Sequence, residues 1–269
     1  MEITMKEQQL HTKRGDVWYW TSEIFSENKK TMVLLHGLTA DHTLFDKQIP
    51  CFEEKYNIII WDAPAHGKSR PYMDFTYPNA AADLKQILDD NGVTSAIMIG
   101  QSMGGYVIQS FILRYPEMVE AFVGIDTCPY GEQYYSKSDK WWLQQIEWMA
   151  KLYPLGLMKN AVAKQCARTE YARENMRKAL APYDKNELCR LMGIGFAGFL
   201  TDNQDMHISC PVLILVGEYD RTGKVKAYCE AWAKVQGYPL VVIRDAAHNS
   251  NADNPTQVNT EIRAFLNQV

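Results

Sequence analysis

Six short runs of the chain are apolar at nearly every position: TMVLLHG at 31–37, NIIIWD at 57–62, SAIMIG at 95–100, EAFVGID at 120–126, PVLILVG at 211–217 and PLVVIRD at 239–245. A strand with one wet face alternates apolar and polar residues, whereas an unbroken apolar run is a strand covered on both faces. Between these runs the apolar positions return at helical spacing, predicting helices over 79–90, 103–115, 224–236 and 255–268. In the last of these, Val258, Ile262, Phe265 and Val269 share one face. Strand and helix alternate, so the pattern predicts an α/β fold with a mostly parallel central sheet flanked by helices.

The alternation breaks between about Pro129 and Asp205, where no comparable strand occurs and the helical stretches are rich in Trp, Tyr, Leu, Met, Lys and Glu. This predicts a core made of residues 1–128 and 206–269, with 129–205 inserted as a helical cap. Trp141, Trp142 and Trp148 fall close together inside the insertion. They are expected to line a substrate pocket under the cap, with ordinary packing of cap on core as the alternative.

The 269 residues, 46% of them apolar, suffice for a sizeable core. A net charge of −4, from 28 basic and 32 acidic residues without a run of like charge, points away from nucleic acid and from a polybasic membrane patch. Cysteines 51, 128, 166, 189, 210 and 229 show neither a paired motif nor metal-ligand spacing, so reduced core thiols are expected, with no metal site. The opening MEITMKEQQLHTKRGD lacks the apolar segment of a secretory signal and no run has the length of a membrane span, which predicts a cytoplasmic protein.

Candidate chemistry begins at GQSMG, residues 100–104, between a buried strand and a helix. Glycines at both ends permit a corner too tight for side chains, and the apex residue, Ser102, projects its hydroxyl from a strained backbone. The helix that follows aims its N-terminal N–H groups at the space beside that hydroxyl. A neutral alcohol needs a base, and the base needs a third group to hold its tautomer. His248 lies in the polar loop after the last strand, and Asp220 lies just past LILVG, so the order Ser102, Asp220, His248 sets each candidate beyond a strand end. Asp126, also at a strand end, competes with Asp220 for the role of acid.

With these motifs, LLHGLTA, WDAPAHGKS and LVGEYD, the sequence resembles the α/β-hydrolase superfamily over nearly its whole length. The likeness is to the cap-bearing branch of carboxylesterases, carbon–carbon bond hydrolases and cofactor-free perhydrolases, and it is loosest across the cap. The resemblance implies a Ser-His-Asp triad of Ser102, His248 and Asp220, with an oxyanion hole formed by the backbone N–H groups of Leu38 and Met103. It implies that His36 orients the loop before Leu38, and that His66 is structural. The chain departs from the family at Ala65, where relatives carry glycine, and a Cβ there disfavours the left-handed turn. The implied activity is acyl transfer on small or medium carboxylic esters with an apolar acyl or aromatic part, without a cofactor. Carbon–carbon or peroxy chemistry on the same triad is the alternative, and a ligand-binding protein that is no enzyme is a third reading. A homo-oligomer stays open.

Overall fold

The computed structural model of the protein describes residues 5–269, so the start of the expected core segment and of the N-terminal stretch, residues 1–4, lies outside it. An eight-stranded sheet runs β1 (Met5–Thr12), β2 (Gly15–Ser22), β4 (Asn57–Trp61), β3 (Thr31–Leu35), β5 (Ala96–Gln101), β6 (Val119–Ile125), β7 (Val212–Gly217) and β8 (Leu240–Ile243). The pairs β1–β2 and β2–β4 are antiparallel, and every later pair is parallel. All residues of β3, β4, β5 and β7 are buried, which is why their sequences show no alternation.

The β1–β2 hairpin is absent from the predicted strands. In β1, MKEQQLHT, only Leu10 is buried, because a strand at the sheet edge has little apolar surface to cover and leaves only a weak pattern. At the other edge β8 is shorter than its predicted run, and only Ile243 within it is buried.

The helices are α1 (Ile49–Phe52), α2 (Tyr77–Asp90), α3 (Met103–Ile112), α4 (Lys137–Lys151), α5 (Leu155–Cys166), α6 (Glu170–Leu180), α7 (Lys185–Ala197), α8 (Val225–Gln236), α9 (Ser250–Asp253) and α10 (Pro255–Leu266). Their ends follow local chemistry. The Thr76 hydroxyl accepts the N–H of Asn79, so α2 starts ahead of its predicted bound. The Tyr115–Pro116 step keeps α3 from running to 115, since the residue before a proline is pushed out of the helical region. Helices α4 and α7 each open with a reciprocal capping box, Ser136 with Asp139 and Asp184 with Glu187.

Two features of this architecture position the site. Strand β4, which follows β3 in sequence, pairs on one side of it and β5 on the other, so the chain reverses direction across the sheet and opens a crevice beyond the carboxyl ends of β3 and β5. The helices α4 to α7, between β6 and β7, are tied to that rim. The Asp253 carboxylate accepts the N–H of Arg168 (2.9 Å), of Thr169 (2.8 Å) and of Ala247 (2.9 Å), as well as the Thr169 hydroxyl (3.0 Å).

Replacing Asp253 strands several donors at once. Asp253→Ala is expected to lower stability by about 2–4 kcal/mol, read from urea denaturation, whereas Asp253→Asn, which keeps an acceptor, should lose less.

Candidate active site

Ser102 follows β5 with φ 49° and ψ −113°, a conformation that a non-glycine residue holds only at a cost of about 1–3 kcal/mol. The surroundings leave it no alternative. Its N–H donates to the Ile125 carbonyl (2.8 Å), and its own carbonyl accepts the Thr127 hydroxyl (2.7 Å). A Cβ on Gly104 would stand 2.0 Å from the Leu35 carbonyl oxygen, and one on Gly100 would stand 2.6 Å from the Gly104 backbone. Both glycines are therefore demanded by main-chain contact, Gly104 of α3 against the end of β3 and Gly100 of β5 against the first turn of α3.

The loop carrying His248 is fastened at four successive residues. Ala247 N–H binds Asp253, the His248 carbonyl accepts the Gln101 side-chain amide (2.7 Å), Asn249 N–H donates to the Cys166 carbonyl (2.7 Å), and Ser250 N–H donates to Asp126 (3.0 Å). From this loop His248 Nε2 lies 2.9 Å from Ser102 Oγ, and His248 Nδ1 lies 2.8 Å from Asp220 Oδ2. The other oxygen of Asp220 accepts the Thr222 N–H at 2.8 Å. Three side chains far apart in sequence thus form one hydrogen-bonded line. With a carboxylate accepting from Nδ1–H, Nε2 keeps its lone pair toward the hydroxyl.

Burial alone would lower the pKa of His248, but the charge and hydrogen bond of Asp220 outweigh it and raise the value above that of a free histidine. Burial likewise opposes the charge on Asp220, yet His248 and the Thr222 N–H hold its carboxyl below the usual range. Asp126 behaves in the opposite way. Fully enclosed and close to Asp220, it is pushed up to about 8. Its oxygens accept Gly217 N–H (2.7 Å) and Ser250 N–H (3.0 Å), and it makes no hydrogen bond to His248. Asp126 therefore joins the end of β7 to the histidine loop, and Asp220 is the acid in contact with the imidazole.

Leu38 lies past the end of β3, beside the serine: a Cβ on neighbouring Gly37 would come within 3.1 Å of Ser102 Cβ. Met103 is the first residue of α3, where the N–H has no acceptor within the helix. His36 holds this corner through Nδ1–H to the Gly37 carbonyl (2.8 Å), while its Nε2 accepts the N–H of Ala63 (2.9 Å). That pattern requires a neutral ring, in keeping with a pKa lowered by burial. His66 is enclosed as well and driven down to about 3 by burial and by neighbouring His36. Ala65 adopts φ 65° despite its Cβ, so the left-handed turn forms here without glycine. Nearby, Asp41, His42 and Asp62 bring potential metal-ligating atoms within 4.8 Å of one another. These atoms are engaged internally: Asp62 accepts from the backbone and ring of His42 and from Lys68 N–H, and Asp41 caps the turn at Thr43.

A cleft of about 1070 Å³, its open mouth included, lies over Ser102 and His248. Leu38, Met103 and Tyr106 form its floor side, and Leu143, Val162 and Met192 reach it from α4, α5 and α7. Trp141, Trp142 and Trp148 do not line it. Each is more than half exposed, because α4 turns Leu143 and Ala150 inward, which sets Trp141 and Trp148 on its opposite face and Trp142 on its flank. The apolar lining was not legible as such, since Tyr106, Met192 and Tyr228 belong to separate elements that meet only here. Gln101 and Thr127 were missed as supports of the site. Gln101 sits within the GQSMG motif, but its bond to the histidine loop has no counterpart in spacing.

Residues 30–157 match the family model for the alpha/beta hydrolase fold. The chain is 25% identical to the uncharacterized hydrolase YugF of Bacillus subtilis over 88% of its own length and 90% of that protein's. It is also 25% identical to the carboxylesterase YbfK of the same organism, over 88% and 80%. Among solved structures it superposes on a thermophilic esterase from Thermogutta terrifontis with a TM-score of 0.77 at 21% identity, covering 98% of each chain.

A methyl group at Gly104 has to displace main chain, whereas one at Gly156 meets nothing within 4 Å. Gly104→Ala is expected to cost at least about 2 kcal/mol in thermal unfolding, while Gly156→Ala in α5 should be neutral or gain up to about 1 kcal/mol.

Proposed function

We propose that this protein, whose residues 30–157 match the family model for the alpha/beta hydrolase fold, is a serine hydrolase of the α/β-hydrolase superfamily that acts on small or medium, uncharged carboxylic esters. The observation that carries the reading is the line from Ser102 Oγ through His248 to Asp220, with contacts of 2.9 and 2.8 Å. Ser102 attacks the ester carbonyl as His248 Nε2 takes its proton. The Leu38 and Met103 N–H groups receive the oxyanion, each such donor being worth about 3–4 kcal/mol in the transition state. His248 returns the proton to the departing alkoxide, and then draws one from the water that releases the acid. Asp220 keeps the imidazole in its working tautomer and stabilises its charged form.

The cleft supports the substrate class. Helices α4 to α7 act as the cap, and the side chains they lend to the cleft suit an apolar acyl or aromatic group. The lysine on its lining, Lys224, is already paired with Asp139 at 2.7 Å, so a substrate carboxylate would compete with an existing partner. This favours a neutral ester over a carboxylate-bearing diketone cleaved at a carbon–carbon bond.

A fluorophosphonate is expected to add its mass to Ser102 and nowhere else, and p-nitrophenyl esters to be turned over in preference to a vinylogous diketone. No label on Ser102 would overturn the assignment, and preferred cleavage of the diketone would overturn the substrate class. Because the neutral imidazole is the active form, kcat/KM should rise with pH through a midpoint above the 6.5 of an unperturbed histidine. Asp220→Asn removes the charge that lifts His248, leaving burial and nearby Asp126. Its midpoint should fall, and kcat should drop by about 10⁴ as the tautomer is lost.

A further inference from the structure

The outward side of α4 is apolar where a helix lying on a core is ordinarily polar. At about 100° per residue, Trp141, Trp148 and Leu152 share the face opposite buried Ala150, with Trp142 edge-on against Trp141 at 4.7 Å between ring centroids. Tyr153 and Leu157 continue this surface around the corner into α5, and all six residues are more than half exposed. Scattered apolar residues on a surface need no explanation, but three indoles in eight residues with three more large apolar side chains along the chain do.

Charge indicates the occupant. Residues 137–166 carry Lys137, Lys140, Lys151, Lys159 and Lys164 against Asp139 and Glu147, a balance of +3, so the other residues of this −4 chain hold −7. Lys137 lies on the tryptophan face, and both Lys137 and Lys164 are exposed and form no ion pair among the described residues. Indole rings combine an apolar body with an N–H donor and settle at the headgroup level of a bilayer, and lysines reach past them to anionic lipid. A second copy of this chain docked face to face about a twofold axis would instead oppose +3 with +3.

We propose that the outer face of α4 and its corner with α5 is a docking surface for an anionic phospholipid bilayer, on which the protein lies without spanning it. Among the described residues no helix is long and apolar enough to cross a membrane. The sequence shows no run of like charge at this place; the helical turn of α4 sets Lys137 on the same side as Trp141 and Trp148. The same two helices supply Leu143 and Val162 to the cleft, so a docked bilayer lies against the walls of the pocket. The proposal goes beyond the ester-hydrolase reading and does not rest on it.

The test is flotation of the full chain with vesicles of phosphatidylcholine alone, and of phosphatidylcholine containing about one-third phosphatidylglycerol, alongside tryptophan emission. The chain is expected to bind the anionic vesicles at least about tenfold more tightly, with a blue shift of its emission. W141S/W142S/W148S should lose about tenfold or more of that binding. K137E/K164E, which leaves the apolar face intact, should lose the preference for phosphatidylglycerol, and it carries the test if the triple variant fails to fold by circular dichroism. Failure of the parent chain to float, or flotation of both variants like the parent, would overturn the proposal. So would a dimer in analytical sedimentation that the tryptophan substitutions dissolve, since the face would then belong to a second copy. Turnover of a soluble p-nitrophenyl ester, measured in parallel, reports on Ser102 alone, so loss of the hydrolase reading and loss of the docking surface are separate results.

Discussion

The approach of the first turn of α3 to the end of β3, main chain against main chain, is the constraint on which the rest of the site depends. With Gly104 under the Leu35 carbonyl and Gly100 under the Gly104 peptide, the chain turns from strand to helix in a single residue. Ser102 takes the strain of that turn, and its hydroxyl is held out over the crevice rather than folded back as a cap: it makes no cap bond to α3. The same corner sets Met103 at the start of α3 and Gly37, next to Leu38, against the Ser102 side chain. A looser corner would relieve the serine of its strain.

Around this corner the enclosed charges are balanced by position. Asp220 gains a neighbour for each oxygen and stays ionised, which lifts His248 despite its enclosure. Asp126, at the end of the neighbouring strand β6, shares the same low-dielectric space and is displaced toward the neutral form. Two carboxyl groups of like chemistry are thereby separated into one that faces the imidazole and one that joins the β7 end to the histidine loop. The pairing of Asp220 with His248 rather than Asp126 is a matter of which loop curls over the strand ends. Gly217 allows that closeness, as a Cβ on it would stand 2.1 Å from the Ala247 carbonyl.

The histidine loop also shows how the segment between β6 and β7 is coupled to the site. The Cys166 carbonyl at the end of α5 receives Asn249 N–H, and Asp253 binds Arg168, Thr169 and Ala247 together. The corner between α5 and α6 and the loop that carries the imidazole are thus one hydrogen-bonded unit. Movement of α5 away from the core would strain the residues on either side of His248.

Fully buried strands, the glycine-flanked serine and the positions of Asp220 and His248 after strand ends were all legible along the chain, because each is local: burial on both faces abolishes alternation, and a one-residue corner excludes side chains. The edge hairpin left little trace, since β1 has one buried residue with which to mark a period. Aromatic residues at 141, 142 and 148 were legible as a cluster but not as a direction. Composition says that indoles are close in sequence, and only the packing of α4, with Leu143 and Ala150 inward, decides that they face outward. The supports from Gln101, Thr127 and Asp126 are likewise contacts between segments far apart in the chain, for which one-dimensional spacing holds no signal. The sequence by itself determined the alternating architecture and which residue types stand at the strand ends. Tertiary structure decided which carboxylate meets the imidazole and which side chains line the cleft, because both depend on the closeness of loops that share no local pattern.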